Sequence, residues 1–269
     1  MKNDGMLTLE KVAECCSTVF VDTNIVSTAY DRGSNMNDFC SYLGRGTNLS
    51  EIKYSVFERQ RDHLVRMSTI LHDNSHIRAT SGISYELSVA QNHYNNCFQY
   101  YSSGKNRWGD KLKLLRAILT THRNICDLFI ARDIKCDEVV VLQEYIVLKA
   151  LHISRNTSFR KSRVEAKTDS NDAELAAYAI CEALNWNESG EPVGVVSCDA
   201  DIFNILTNFE EDYHTRMLPS MLQHLFYRWT MQIPVHAYRP PLVGWKENLE
   251  LQKEVEVRPL DLGVVEDGK

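Results

Sequence analysis

Four acidic residues stand where their carboxylates can meet. Asp22 closes the β-branched and aromatic run Thr18-Val19-Phe20-Val21, and Asp199 follows the apolar run ending Val195-Val196-Ser197 after one residue. Glu86 lies in a stretch with Ile83, Leu87, Ala90, Tyr94 and Phe98 at helical spacing, so its carboxylate falls on or beside the apolar stripe. Asp172 opens an Ala-rich helix and precedes Ala176 by four residues, which turns it towards the buried side. Singly, Asp22, Asp172 and Asp199 read as helix caps worth about 1 kcal/mol each. Glu86 alone reads as a helix-start acid favoured by the dipole. Together they are like charges that raise one another's pKa unless a cation intervenes. Hard oxygen ligands favour Mg2+ or Mn2+, one or two ions, over zinc. Two such ions roughly 3.5–4 Å apart activate a water and stabilise the leaving oxygen of an in-line displacement at phosphorus.

The elements that position these acids are short apolar strands alternating with helices. Strands are predicted at 18–21, 76–80 and 193–197, with a last one over Ile233–Tyr238 placed at a sheet edge by Pro234. Helices are predicted over 50–72, from Ser81, over 108–131 and 137–154, over Asn171–Trp186, from Ile202, and from about Met217 to Met231. This alternation argues for the α/β class, with a mostly parallel sheet and helices on both faces. In such folds the ligand crevice opens at the carboxyl ends of the strands, where Asp22 and Asp199 fall. The expected organisation is a single domain over 15–240, with helical insertions around 50–72 and 105–155. An acidic tail over 241–269, extended or partly disordered, completes the chain.

Composition narrows the class. The chain has 269 residues, 43% hydrophobic and 25% charged, as soluble globular proteins do. No apolar run approaches the ~18–20 residues that span a bilayer, and the first residues lack a signal-peptide core, so a cytoplasmic protein is expected. Eight cysteines are scattered with no CxxC pair, and His122 with Cys126 supplies only two of the four ligands a zinc site needs, so buried free thiols are expected. Cys198 stands out only because it adjoins Asp199. The net charge of −6 conceals a basic middle: residues 87–171 hold 14 Lys/Arg against 8 Asp/Glu, and residues 172–269 hold 7 against 17. Such a chain can bring a polyanion against an acidic site, although charge blocks on helices are often only solvated faces.

At the four acids the chain resembles the PIN-domain nucleases. The resemblance lies in VFVDTN at Asp22, ATSGISYELS at Glu86, SNDAELAA at Asp172 and VVSCDADIF at Asp199, in that order. It implies a three-layer α/β/α fold and metal-dependent hydrolysis of phosphodiesters, most often in RNA. Asp22, Glu86, Asp172 and Asp199 are then the catalytic metal ligands, with Asp201 behind them or as an occasional ligand. Thr23 and Asn24 orient water or the scissile phosphate, and Asp169 reads as a helix cap. Arg160, Lys161 and Arg163 track the nucleic-acid backbone, as a second cluster of Lys105, Arg107, Lys111, Lys113 and Arg116 beside Tyr100, Tyr101 and Trp108 does in principle. RNA ranks ahead of DNA as partner, no membrane is involved, and a homo-oligomer or protein partner stays open. Two other readings stay open as well. A catalytically inactive PIN-like RNA-binding module has no use for four acids. A haloacid-dehalogenase-like phosphatase wants Asp where this chain has Asn24.

Overall fold

A computed structural model describes residues 7–26, 53–103, 109–130, 142, 145, 171–185, 190–215, 217–220, 222, 233–240 and 250–258. In chain order the elements are β1 (Leu7–Thr8), α1 (Leu9–Cys15), β2 (Thr18–Val21), α2 (Thr23–Val26), α3 (Tyr54–Asp73), β3 (Ile77–Arg78) and α4 (Ser81–Ser102). They continue as α5 (Gly109–Ile130), α6 (Asn171–Asn185), β4 (Val193–Val196), α7 (Ala200–His214), β5 (Val235–Arg239) and β6 (Glu250–Val257).

The α/β class holds, but the sheet is mixed rather than mostly parallel. Its order is β1-β6-β5-β4-β2-β3. The pairs β3/β2, β2/β4 and β4/β5 are parallel, and β5/β6 and β6/β1 are antiparallel. The reason is chain length: ten residues separate Arg239 from Glu250, fewer than the dozen or so that a parallel crossover needs. Two further expectations change with it. Residues 250–257, placed in an acidic tail, form a strand because Leu251, Val255 and Val257 turn inward past a bulge opposite Ala237/Tyr238. And β5 is interior, not an edge. Pro234 stands just outside it and lends its carbonyl to Val193 N at 3.0 Å, so its missing N–H costs no ladder bond. With β1 ahead of it, the sheet runs past both expected limits of 15 and 240.

The central strands TVFV and VGVV are buried throughout, as strands covered on both faces must be. Alternation sends Phe20 towards Tyr178 of α6, ring centroids 6.2 Å apart. Val19 and Gly194 point the other way, under α1. A Cβ on Gly194 would lie 3.1 Å from Cys16 Sγ and 3.2 Å from Val19 Cγ2, so α1 packs close because position 194 has no side chain. The segments 50–72 and 105–155 contribute α3 and α5, which pack together with α4 through Leu64, Met67, Leu87, Tyr94, Leu115 and Ile118. Of the helix expected over 137–154 only Leu142 and Tyr145 are described, both helical. Of Met217–Met231, residues 220 and 222 are helical and 217–219 are not; the rest lies outside the described residues. No helix among the described residues is long and apolar enough to cross a membrane.

Candidate functional site

The site assembles where β2 and β4 end. Pairing continues one residue past each strand: Asp22 N donates to Val196 O at 3.0 Å, and Ser197 N donates to Tyr238 O at 3.1 Å. Asp22 is only 5% exposed. Its carbonyl starts α2 by accepting from Ile25 N at 3.0 Å. Its carboxylate Oδ2 accepts from Ser197 Oγ at 2.6 Å and from Asn24 Nδ2 at 2.7 Å. Ser197 Oγ accepts in turn from Asp199 N at 2.8 Å, so one hydroxyl ties the two strand ends together. Asp199 caps α7 through Asp201 N at 2.9 Å, which starts that helix at Ala200 rather than at Ile202. The cap role and the rim position coincide.

Asp172, Asp199 and Asp201 present carboxylate oxygens that all lie within 4.8 Å of one another, each residue half-buried. At an effective dielectric of about 20, two full charges at that range repel by roughly 3 kcal/mol. Asp22 and Glu86 stand beside this triad rather than in it. Burial, and then the charges of Glu86 and Asp199, push the Asp22 carboxyl up to about 6, against the pull of the Ser197 hydrogen bond. The predicted quartet is therefore gathered at one rim, and the tightest grouping includes Asp201, which ranked as accessory in the sequence.

Glu86 is held by two neighbours. Thr23 Oγ1 donates to its Oε2 at 2.6 Å, and Asn171 Nδ2 donates to its Oε1. Asn24, besides holding Asp22, accepts from Cys198 N at 3.1 Å. Thr23 and Asn24, expected to orient water or phosphate, both hydrogen-bond to the acids. Each carboxylate still has lone pairs beyond these bonds for a cation.

One site residue escaped the sequence reading. Glu174 on α6 is 8% exposed, and its carboxylate accepts from Thr80 Oγ1 at 3.2 Å, Ser81 Oγ at 2.6 Å and Gly82 N at 2.9 Å. It therefore sits on the N-terminus of α4, where a negative charge is favoured. Thr80 caps the same helix by accepting from Ile83 N at 3.3 Å, ending the strand expected to reach residue 80 at Arg78. A Cβ on Gly82 would fall 2.2 Å from Glu174 Oε2 and 2.4 Å from Asn171 Oδ1, so only glycine admits this clamp. The clamp fixes α4 against α6 and sets Glu86 opposite Asn171 and Asp172. The available signal was a glycine inside the first turn of a predicted helix, a place where it needs a packing reason.

Other candidates resolve differently. Arg160, Lys161, Arg163 and Asp169, with Lys105, Arg107 and Trp108, lie outside the described residues. Lys113 pairs with Asp110 at 3.2 Å on an exposed face, and Arg116 lies 5.7 Å over the Phe98 ring. His122 and Cys126 touch, Sγ to Nδ1 3.5 Å, deep in the helical layer with no third metal ligand among the described residues. Cys16, Cys126, Cys181 and Cys198 are buried, while Cys15 is exposed. Comparison with protein-family models, with curated proteins and with solved structures found no match.

Proposed function

We propose that the chain is a divalent-metal-dependent nuclease, an endoribonuclease first and a deoxyribonuclease second, with a PIN-like three-layer core, acting in the cytoplasm. The observation that carries this is the convergence of Asp172, Asp199 and Asp201 within 4.8 Å at the carboxyl edge of the sheet, with Asp22 and Glu86 oriented beside them by Ser197, Thr23 and Asn171. These side chains are hard oxygen donors, so Mg2+ or Mn2+ fits their chemistry. The triad would hold the ion, and Asp22 and Glu86 would complete its shell or anchor its waters. A bound ion of this kind supplies an activated water and a counter-charge for the leaving oxygen. In the overall reaction one P–O ester bond breaks, the hydroxyl of water joins phosphorus, and its proton goes to the leaving oxygen.

The deciding experiment incubates labelled single-stranded RNA, structured RNA and single-stranded DNA with the protein, with Mn2+, with Mg2+ or with EDTA. Cleavage within the strand that depends on the metal, RNA before DNA, is the expected result. A protein that binds RNA but cuts nothing with either metal is the inactive module instead. Release of terminal phosphate alone would mark a phosphatase, and either outcome overturns the nuclease reading.

A further inference from the structure

We propose that Arg239 is a phosphate-binding residue of this site, gripping a non-bridging oxygen of the nucleic-acid backbone next to the scissile bond. The inference deepens the nuclease reading and rests on it.

Arg239 is the last residue of β5, the strand beside β4. It directly follows Tyr238, whose carbonyl holds Ser197 N at 3.1 Å, and Ser197 in turn holds Asp22. The register pairs Phe20 with Val195 and Val195 with Ala237. Alternation along β5 puts Arg239 on the face of Ala237, the face on which Phe20 meets α6, the helix that carries Asp172. The guanidinium carbon lies 5.4 Å from the centroid of the Phe203 ring. Phe203 stands four residues after Asp199, the cap of α7, and so about 6 Å along the helix from it. Sheet and helix both lead this cation to the acidic rim.

Its chemistry there is unused. Arg239 is half-buried, and its Nε–H is buried with no hydrogen-bond partner. Among the described residues no carboxylate pairs with it, although five acids stand at the same rim. A cation placed only to neutralise those acids would be bonded to one of them. The Phe203 ring lies against the guanidinium instead, and among the described residues no acceptor meets its Nε–H. A planar fork of N–H donors beside a hard-cation site suits a phosphate group, two of whose oxygens it can grip with parallel bonds. It also answers an electrostatic need, since the strand must approach five carboxylates and a fixed cation lowers that barrier.

The test compares wild type with R239Q and R239K. Binding of labelled single-stranded RNA is followed with Ca2+ across a salt series, and steady-state cleavage with Mn2+. The expected result for R239Q is about tenfold weaker binding and a log affinity against log salt slope flatter by about 0.7, as for one lost phosphate contact. KM should rise by a similar factor, kcat should stay within about threefold, and Mn2+ affinity should be unchanged, because the residue positions substrate and touches no metal ligand. R239K should restore the slope but not the full affinity, since a point charge replaces a bidentate fork. An R239Q protein with wild-type affinity, slope and KM, in a preparation whose wild type cuts RNA, overturns the inference and leaves the nuclease reading intact. A wild type that neither binds Mn2+ nor cuts RNA sinks both. If R239Q does not fold, F203L serves, since it keeps the charge and removes the platform; an unchanged KM in F203L then counts against the inference.

Discussion

Two buried polar regions of this molecule obey the same physics to opposite ends. In the helical layer, Gln60 Nε2 donates to Tyr94 Oη at 3.1 Å, and the Tyr94 ring meets His122 edge-on at 5.0 Å. His122 Nδ1 lies 2.9 Å from Gln91 Oε1, and Gln91 Nε2 donates to Leu119 O at 3.3 Å. Burial pushes His122 down to about 4, so every member is neutral at pH 7, and none of these side chains leaves a buried polar atom unpartnered. At the sheet rim the buried and half-buried groups are acids: hydroxyls and amides hold Asp22 and Glu86, and Asp172, Asp199 and Asp201 lie within 4.8 Å of one another. A neutral satisfied network stabilises the fold. A gathered set of like charges costs free energy, and a cation among them would lower that cost.

The sharpest way to break this contrast is D199N. Asparagine caps helices as well as aspartate does, so α7 keeps its first turn while the triad loses one charge. Metal-dependent cleavage should fall by roughly 10³-fold, about 4 kcal/mol of transition-state stabilisation, with the melting temperature held or raised. Near wild-type turnover in D199N would reduce the acids to helix caps.

Next in size is the helical layer. H122A leaves Gln91 without its partner and opens a cavity beside Tyr94, and should cost about 3 kcal/mol in denaturant unfolding while sparing the chemistry of folded molecules. An H122A protein as stable as wild type would show that this network is dispensable.

Comparable in size but opposite in sign is D22N. With a folded value near 6 against 3.8 for the free group, Asp22 binds its proton more tightly folded than unfolded. Its contribution is fully present below pH 4 and is lost as pH rises through 6, to an upper bound of about 3 kcal/mol. In EDTA, D22N should therefore be more stable than wild type at pH 7.5, and the gain should vanish by pH 4. Buried His63 and His122, both pushed to about 4, work the other way: their share is present above pH 6.5 and lost as pH falls through 4. Melts at pH 4, 5, 6 and 7.5 separate the two limbs. A D22N protein that is less stable than wild type at pH 7.5 without metal would show that Ser197 and Asn24 outweigh the repulsion.

The smallest effect belongs to the solvated face of α5. K113A removes one partner of an exposed pair with Asp110 and should leave melting unchanged, because such pairs contribute little. A salt slope for RNA binding that flattens in K113A would extend the substrate path to that helix.

Local pattern carried a large part of this protein. Runs of consecutive apolar residues marked β2 and β4, because a strand covered on both faces has no polar side to show. Apolar residues three and four apart marked α4, α5 and α6, since a helix must bury one stripe. Asp22 and Asp199 were legible as rim residues because Asp22 follows its parallel strand directly and Asp199 follows within three residues. Glu86 and Asp172 were legible because helix starts lie near the same edge.

What the tertiary structure decided are matters of partner and distance. The antiparallel return of β6 and the interior place of β5 depend on which strand lies beside which, and an eight-residue acidic stretch does not announce its neighbour. The same holds for Glu174, which looks like any helix-start acid until α4 is laid against it and Gly82 is seen to leave it room. It holds for Asp201, whose entry into the triad is set by the cap geometry of Asp199, and for Arg239, whose stack on Phe203 joins residues 36 positions apart. Hydrophobic period is a property of one segment and is written along it. Convergence of charged groups is a property of several segments at once, and it comes into being only when the chain folds.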